Sequence, residues 1–148
     1  PSQTIRQFGV KLKHSVNRSC IEDKRVILID DSIVRGTTAS KIVKMVYEAG
    51  AKEVHLGISC PPIKHPDFYG IDTPNYNELI ASKSNIEEMT ELVGAKSLFF
   101  LSLDGTYKAM GYNERNKELP QFTDHCFTGD YPIDISEILK INSYDASR

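Results

Sequence analysis

Apolar and polar positions along the chain fall into two alternating periods. Val26, Ile27, Leu28 and Ile29 form an unbroken β-rich run after a polar turn at Glu22 to Lys24, the pattern of a strand buried on both faces of a parallel sheet. Beyond Asp30, Asp31 and a short loop, Ile42, Val43, Val46 and Tyr47 recur at i, i+1, i+4 and i+5, which predicts a helix stopped by Gly50. "KEVHLGIS" (52 to 59) predicts a second strand, so strand, helix and strand make a βαβ unit with a right-handed connection. The following "CPPIKHPDFYGIDTPNYNE" holds four of the seven prolines and predicts an irregular surface loop. Two helices are expected next, around Tyr76 to Ala81 and around Ile86 to Val93, the second ending at Gly94. "KSLFFLSL" (96 to 103) predicts a third strand and "GTYKAMGY" a short helix after it. Beyond Asn113 the pattern fades, apart from a helix expected near Ile135 to Ile141. "IRQFGVKLK" (5 to 13) fits a short helix or an extended segment equally, because its period matches neither.

Strands alternating with helices define an α/β fold, a mostly parallel twisted sheet with flanking helices. With 148 residues the chain has the length of one domain. Its composition narrows the function classes. The 18 Lys and Arg are scattered among 20 Asp and Glu, for a formal net charge of -2, so neither a nucleic-acid partner nor a membrane surface is expected. No apolar stretch reaches the roughly 20 residues that span a bilayer, and the first residues lack the apolar core of a secretory signal, which points to the cytoplasm. Cys20, Cys60 and Cys126 are odd in number and widely spaced, as expected of unlinked thiols. The first residue is Pro1 rather than methionine, so the chain is expected to be processed or cut from a longer polypeptide.

The candidate chemistry lies in "VILIDDSIVRGTT", residues 26 to 38. Successive residues of a strand point to opposite faces, so Asp30 and Asp31 can serve one ligand only where the strand ends and the chain turns. The loop leads into a helix N-terminus, with free N–H groups and a partial positive charge. Gly36 removes a side chain that would hold an anion away, and Thr37 and Thr38 can donate hydroxyls or cap the helix. Residues 32 to 38 are therefore read as a phosphate cradle. Two carboxylates repel phosphate, so their partners must be sugar hydroxyls or a divalent cation. A ribose 5-phosphate unit with Mg²⁺ meets all these demands.

This stretch resembles the phosphoribosyl-pyrophosphate signature of type I phosphoribosyltransferases. A closer resemblance, to the amidophosphoribosyltransferase family, runs from about Pro1 to Ile135 through "EAGAKEVH", "SCPPIKHPDFYGIDTP", "ELIAS" and "CFTGDYP". It implies a type I phosphoribosyltransferase-like domain over residues 1 to 135, incomplete on its N-terminal side, with residues 136 to 148 as a C-terminal helix or tail. It implies that Asp30 and Asp31 handle the ribose hydroxyls and Mg²⁺, and that Ser32, Ile33, Val34, Arg35, Gly36, Thr37 and Thr38 hold the 5-phosphate. The implied reaction displaces pyrophosphate from phosphoribosyl pyrophosphate with ammonia from glutamine, giving 5-phosphoribosylamine at the start of purine biosynthesis. The resemblance further implies purine nucleotide inhibitors and a homo-oligomer. Family members carry a glutaminase domain with a catalytic cysteine, and that cysteine has no counterpart among these residues. Pro1 to Lys13 resembles the end of a flexible loop whose beginning, with the pyrophosphate loop, lies upstream in the family, so the chain alone is expected not to turn over substrate.

Some family members hold an iron–sulfur cluster on cysteines. Here Asp67 stands at one such position, and Thr123 with Cys126 at a Cys-x-x-Cys pair, so a cluster needing four thiolates is not expected. His14, His55, His65 and His125 read as packing or surface residues, without an acid or cysteine at a spacing that marks a metal site. Phe68 and Tyr69 shape a nucleotide face or simply pack, and the roles of Asp72 and of residues 112 to 135 stay open. Two other classes compete with an enzyme. A non-catalytic phosphoribosyl-pyrophosphate or nucleotide sensor would keep the same fold. A receiver domain also opens with "ILIDD", but it needs a phospho-accepting Asp after its third strand and has no Gly-Thr-Thr loop.

Overall fold

The computed structural model describes residues 16–70 and 75–136. The segment 5 to 13, His14, Asp72, and most of the helix expected near Ile135 to Ile141 lie outside these residues, as does nearly all of the proposed tail. Helix α1 (Arg18–Ile21) precedes strand β1 (Arg25–Asp30), which leads through the 31–36 loop into helix α2 (Thr37–Glu48). Strand β2 (Glu53–Ile58) follows, then a long loop, helices α3 (Ile80–Lys83) and α4 (Ile86–Val93), and strand β3 (Ser97–Phe100). Helices α5 (Leu103–Ala109) and α6 (His125–Thr128) complete the described elements. Among the described residues the strands form one parallel sheet in the order β1-β2-β3, which is the α/β architecture expected from the pattern. No helix among them is long and apolar enough to cross a membrane.

The core sits on one face of this sheet. Val54, Leu56 and Ile58 of β2 and Leu98 of β3 meet Ala39, Val43 and Val46 of α2 and Met89 and Val93 of α4. Each β–α–β step moves the sheet in the same direction with the same hand, so α2 and α4 land on the same side. The opposite face carries Ile27, Ile29 and Phe99, which are 65%, 69% and 49% exposed. The expectation that β1 is buried on both faces is therefore corrected: Val26 and Leu28 pack against the core, whereas Ile27 and Ile29 stand on a face that is left exposed among the described residues. Between them, the register sets Gly57 beside both Ile29 and Phe99. A Cβ on Gly57 would lie 2.5 Å from the Phe99 ring, so this glycine gives the two side chains room to close over β2.

Three other boundaries move for local reasons. Residues 76 to 78 form a turn rather than a helix, because Asn75 accepts the Asn77 N–H at 2.9 Å, and helix α3 begins only at Ile80. The third strand stops at Phe100, since Ser102 caps α5 by accepting the Gly105 N–H at 3.0 Å. Helix α6 and the segment leading to it, where periodicity fades, are fixed by polar contacts. Arg115 grips Asp124 through two hydrogen bonds of 2.6 and 3.1 Å and Asp130 through a third of 2.6 Å, while the buried Tyr107 hydroxyl of α5 donates to Asp124 at 2.7 Å.

Candidate functional site

Strand β1 ends at Asp30, and the chain bends at Asp31. The Asp30 carbonyl, at the edge of the sheet's C-terminal end, accepts both the N–H and the hydroxyl of Ser59, at 2.9 and 3.0 Å. Ser59 follows β2, and the register pairs Asp30 with Ile58, so the two strand ends lock side by side. The carboxylates make short local bonds: Asp30 accepts the Asp31 N–H at 3.0 Å and Asp31 accepts the Ser32 N–H at 2.8 Å. These two bonds leave further lone pairs on each carboxylate for a ligand. Burial, and then the charge of Asp31, push the nearby Cys60 thiol up to about 11, so Cys60 stays a protonated thiol. It packs half-buried against the core, as expected of a small apolar residue.

Residues 30 to 39 line one pocket of about 310 Å³. Gly36 is the N-cap of α2 in the left-handed region, at φ 75°, and a Cβ there would approach Ile80 Cδ1 to 3.0 Å. The glycine thus serves the turn and the contact with α3 as well as any anion. The first helical bond runs from Ser40 N–H to the Gly36 carbonyl, so the N–H groups of residues 37 to 39 lie in the unpaired first turn. Thr37 and Thr38 do not cap the helix: the cap position belongs to Gly36, with no side-chain capping bond. Both are exposed inside the helix's first turn, so their hydroxyls are presented to solvent at the pocket.

The loop residues divide by what they offer. Ser32 lines the pocket, while Ile33 is only 3% exposed and its side chain belongs to the core. The carbonyl of Val34 accepts the Ile80 N–H at 3.0 Å, which pins the loop to α3. Arg35 is ion-paired with Glu78 at 2.6 Å, with both side chains about half exposed. Such a pair adds at most about 1 kcal/mol of stability, so it orients Arg35 more than it holds the fold. On the far side of Arg35, Gly36 and Thr37, a second cavity of about 550 Å³ is lined by Ser40, Lys41, Lys83 and Ser84.

Glu78 and Ser59 were not singled out in the sequence. Ser59 had a signal, because it follows a strand that pairs with the acid-bearing one. Glu78 had none, being 43 residues from Arg35. The histidines also separate. His55 bonds to Ser97 at 2.7 Å, and His65 to the Tyr76 hydroxyl at 3.0 Å. His125 is buried and meets Asp67 at 2.7 Å, with Cys126 beside them, so an acid and a thiol do gather at one histidine although no sequence spacing announced it. Phe68 and Tyr69 pack on this cluster, Phe68 against Tyr131 and Tyr69 edge-on to His125, and neither lines the 30–39 pocket.

No family model matches the chain. Among solved structures, the glutamine phosphoribosylpyrophosphate amidotransferase of B. subtilis complexed with ADP and GMP superposes with a TM-score of 0.79 at 50% identity, over 93% of this chain and 30% of that one. A second, described as the allosteric regulatory enzyme of purine biosynthesis, gives 0.74 at 46% identity over 93% and 29%. The fold is thus of the phosphoribosyltransferase type. The amidophosphoribosyltransferase of Rhizobium etli is 60% identical over 133 residues, 89% of this chain and 27% of the relative. The chain is a homologue of the amidophosphoribosyltransferases and spans about a quarter of the length of the curated relatives it matches.

Proposed function

We propose that this chain supplies the ribose 5-phosphate side of an amidophosphoribosyltransferase site, in a protein that converts phosphoribosyl pyrophosphate and glutamine to 5-phosphoribosylamine, pyrophosphate and glutamate. The observation that carries this reading is the single pocket in which Asp30 and Asp31 stand next to the first-turn amides of 37 to 39 and the hydroxyls of Thr37 and Thr38. Carboxylates accept hydrogen bonds from the 2- and 3-hydroxyls of the sugar, while the start of α2 and its hydroxyls bind the 5-phosphate. Arg35, oriented by Glu78, adds a fixed positive charge at the pocket rim.

The acid pair offers only oxygen donors, which suits a hard cation such as Mg²⁺. Bound there, Mg²⁺ would neutralise charge on the departing pyrophosphate. The protein's own part is positional: the pocket fixes the ribose so that its anomeric carbon faces ammonia, and excluding water prevents hydrolysis at that carbon. Purine nucleotides share the ribose phosphate and would compete for the same groups, consistent with the nucleotide-bound state of the B. subtilis neighbour.

Calorimetry with ribose 5-phosphate and Mg²⁺ tests this. Hydrogen bonds to a charged group are each worth about 1.5–3 kcal/mol, so Asp30→Asn and Asp31→Asn should each weaken ribose 5-phosphate binding by roughly tenfold or more. Binding of inorganic phosphate should not weaken in the same variants, because the carboxylates repel it. Unchanged ribose 5-phosphate affinity in both variants would overturn the assignment.

A further inference from the structure

We propose that Glu78 is a positioning residue for anion binding: together with Ile80 it straps residues 34 to 36 from behind and so presets the main chain that receives a phosphoryl group. The inference rests on the reading of residues 30 to 39 as a phosphate-binding pocket. Three consecutive loop residues are each held from the same short segment by a different kind of contact. The Val34 carbonyl accepts the Ile80 N–H at 3.0 Å, Arg35 Nε donates to Glu78 Oε2 at 2.6 Å, and Gly36 stands so close to Ile80 that a Cβ there would lie 3.0 Å from Ile80 Cδ1. Peptide, charge and packing thus fix the chain immediately before the first-turn amides of 37 to 39.

The loop needs this support because of where it runs. Arg35, Gly36 and Thr37 line both the 30–39 pocket and the cavity of about 550 Å³ on their other side. The loop is therefore a partition between two cavities, and residues 78 to 80 brace it from the larger one. The brace is itself anchored. Leu79, between Glu78 and Ile80, is fully buried. The Glu78 N–H donates to the Asn75 carbonyl at 2.9 Å, and the Ser82 hydroxyl is shared between the carbonyls of Tyr76 and Leu79 at 2.7 and 2.8 Å. Main-chain amides bind an anion well only when they already point at it, so a rigid point behind the loop raises affinity without touching the ligand.

Simple electrostatics predicts the opposite sign for Glu78. It lines the larger cavity and not the 30–39 pocket, so its carboxylate offers a bound phosphate nothing but repulsion. If charge alone mattered, its removal would strengthen phosphate binding. A strap acting through Arg35 predicts that removal weakens it, and only while Arg35 is present.

The test is an NMR titration of the isotope-labelled 148-residue chain with inorganic phosphate, and separately with ribose 5-phosphate and Mg²⁺. Phosphate should shift the amides of residues 36 to 39. Glu78→Ala should weaken both ligands by the same factor of about fivefold, the most that a half-exposed ion pair supplies. Arg35→Ala should weaken them at least as much, and adding Glu78→Ala to it should cause no further loss. Glu48→Ala, which removes an acid paired with Lys44 at the other end of α2, should change neither affinity. Circular dichroism verifies that each variant is folded. Phosphate affinity in Glu78→Ala equal to or above that of the wild type, or the same fivefold loss in the Arg35→Ala background, would overturn the proposal. The acid-pair assignment fails separately, through Asp30→Asn and Asp31→Asn, which act on ribose 5-phosphate and not on inorganic phosphate. A wild-type chain whose 36–39 amides ignore phosphate would overturn the pocket and the strap together.

Discussion

Asp124 concentrates more polar bonding than any candidate-site residue. Its carboxylate is 5% exposed; burial alone would raise its pKa, but hydrogen bonds from Arg115 and Tyr107 outweigh burial and hold it below the ordinary carboxylate value. Burial, and then the bond to Asp124, push the Tyr107 hydroxyl up, so it stays a donor. A carboxyl depressed in the folded state gives stability that is complete above its unfolded pKa and lost as pH falls through the folded one. Urea unfolding should therefore show lower stability at about pH 3 than at about pH 7. Asp124→Asn should lose about 1–3 kcal/mol at neutral pH and show a smaller drop over that interval. An equal drop in wild type and variant would place the acid sensitivity elsewhere. The sequence contains these residues without any sign of the partnership, since Tyr107, Arg115, Asp124 and Asp130 meet only through the fold. Asp30 and Asp31 differ: their chemistry follows from adjacency along the chain, so their position at a strand end was legible.

Elements were legible where their ends carry local signals. Helix α4 matches its expected span because Asn85 and Glu88 close a capping box, Asn85 accepting the Glu88 N–H at 2.9 Å and Glu88 accepting the Asn85 N–H at 3.0 Å, and Gly94 ends it at φ 74°. Asn85→Ala should destabilise the chain by about 1 kcal/mol in thermal or urea unfolding, with the far-UV circular dichroism of the folded state essentially unchanged. A loss indistinguishable from zero would show that α4 is held by Met89 and Val93 alone. The third strand ends short of its apolar run for a related reason. Its apolar run continues past Phe100, but Ser102 is a helix cap, and a cap overrides hydrophobicity by satisfying an amide that the strand would leave unpaired. Helix α3 was displaced because Asn75 turns the chain before helical bonds can start.

For the whole molecule, what matters is which face of the sheet the helices choose. Met89, 1% exposed at the centre of the core, should cost about 2–5 kcal/mol on truncation to Ala, through lost transfer energy and a cavity. Ile29, an equally apolar residue of the same sheet but 69% exposed, should tolerate Thr within about 0.5 kcal/mol. Chemical denaturation of the two variants compares the faces directly, and similar losses would mean that the Ile29 face is covered. By itself, the amino-acid sequence determined the strand–loop–helix order and the acid pair followed by a glycine-bearing loop, since each depends on neighbours within a few residues, and the alternation of strands and helices implied the parallel sheet. Only the tertiary structure decided that β1 is covered on one face, that Glu78 holds Arg35, and that Asp67 meets His125 and Cys126. Those outcomes depend on the common hand of the crossovers and on loops brought together across dozens of residues, and no local period encodes either.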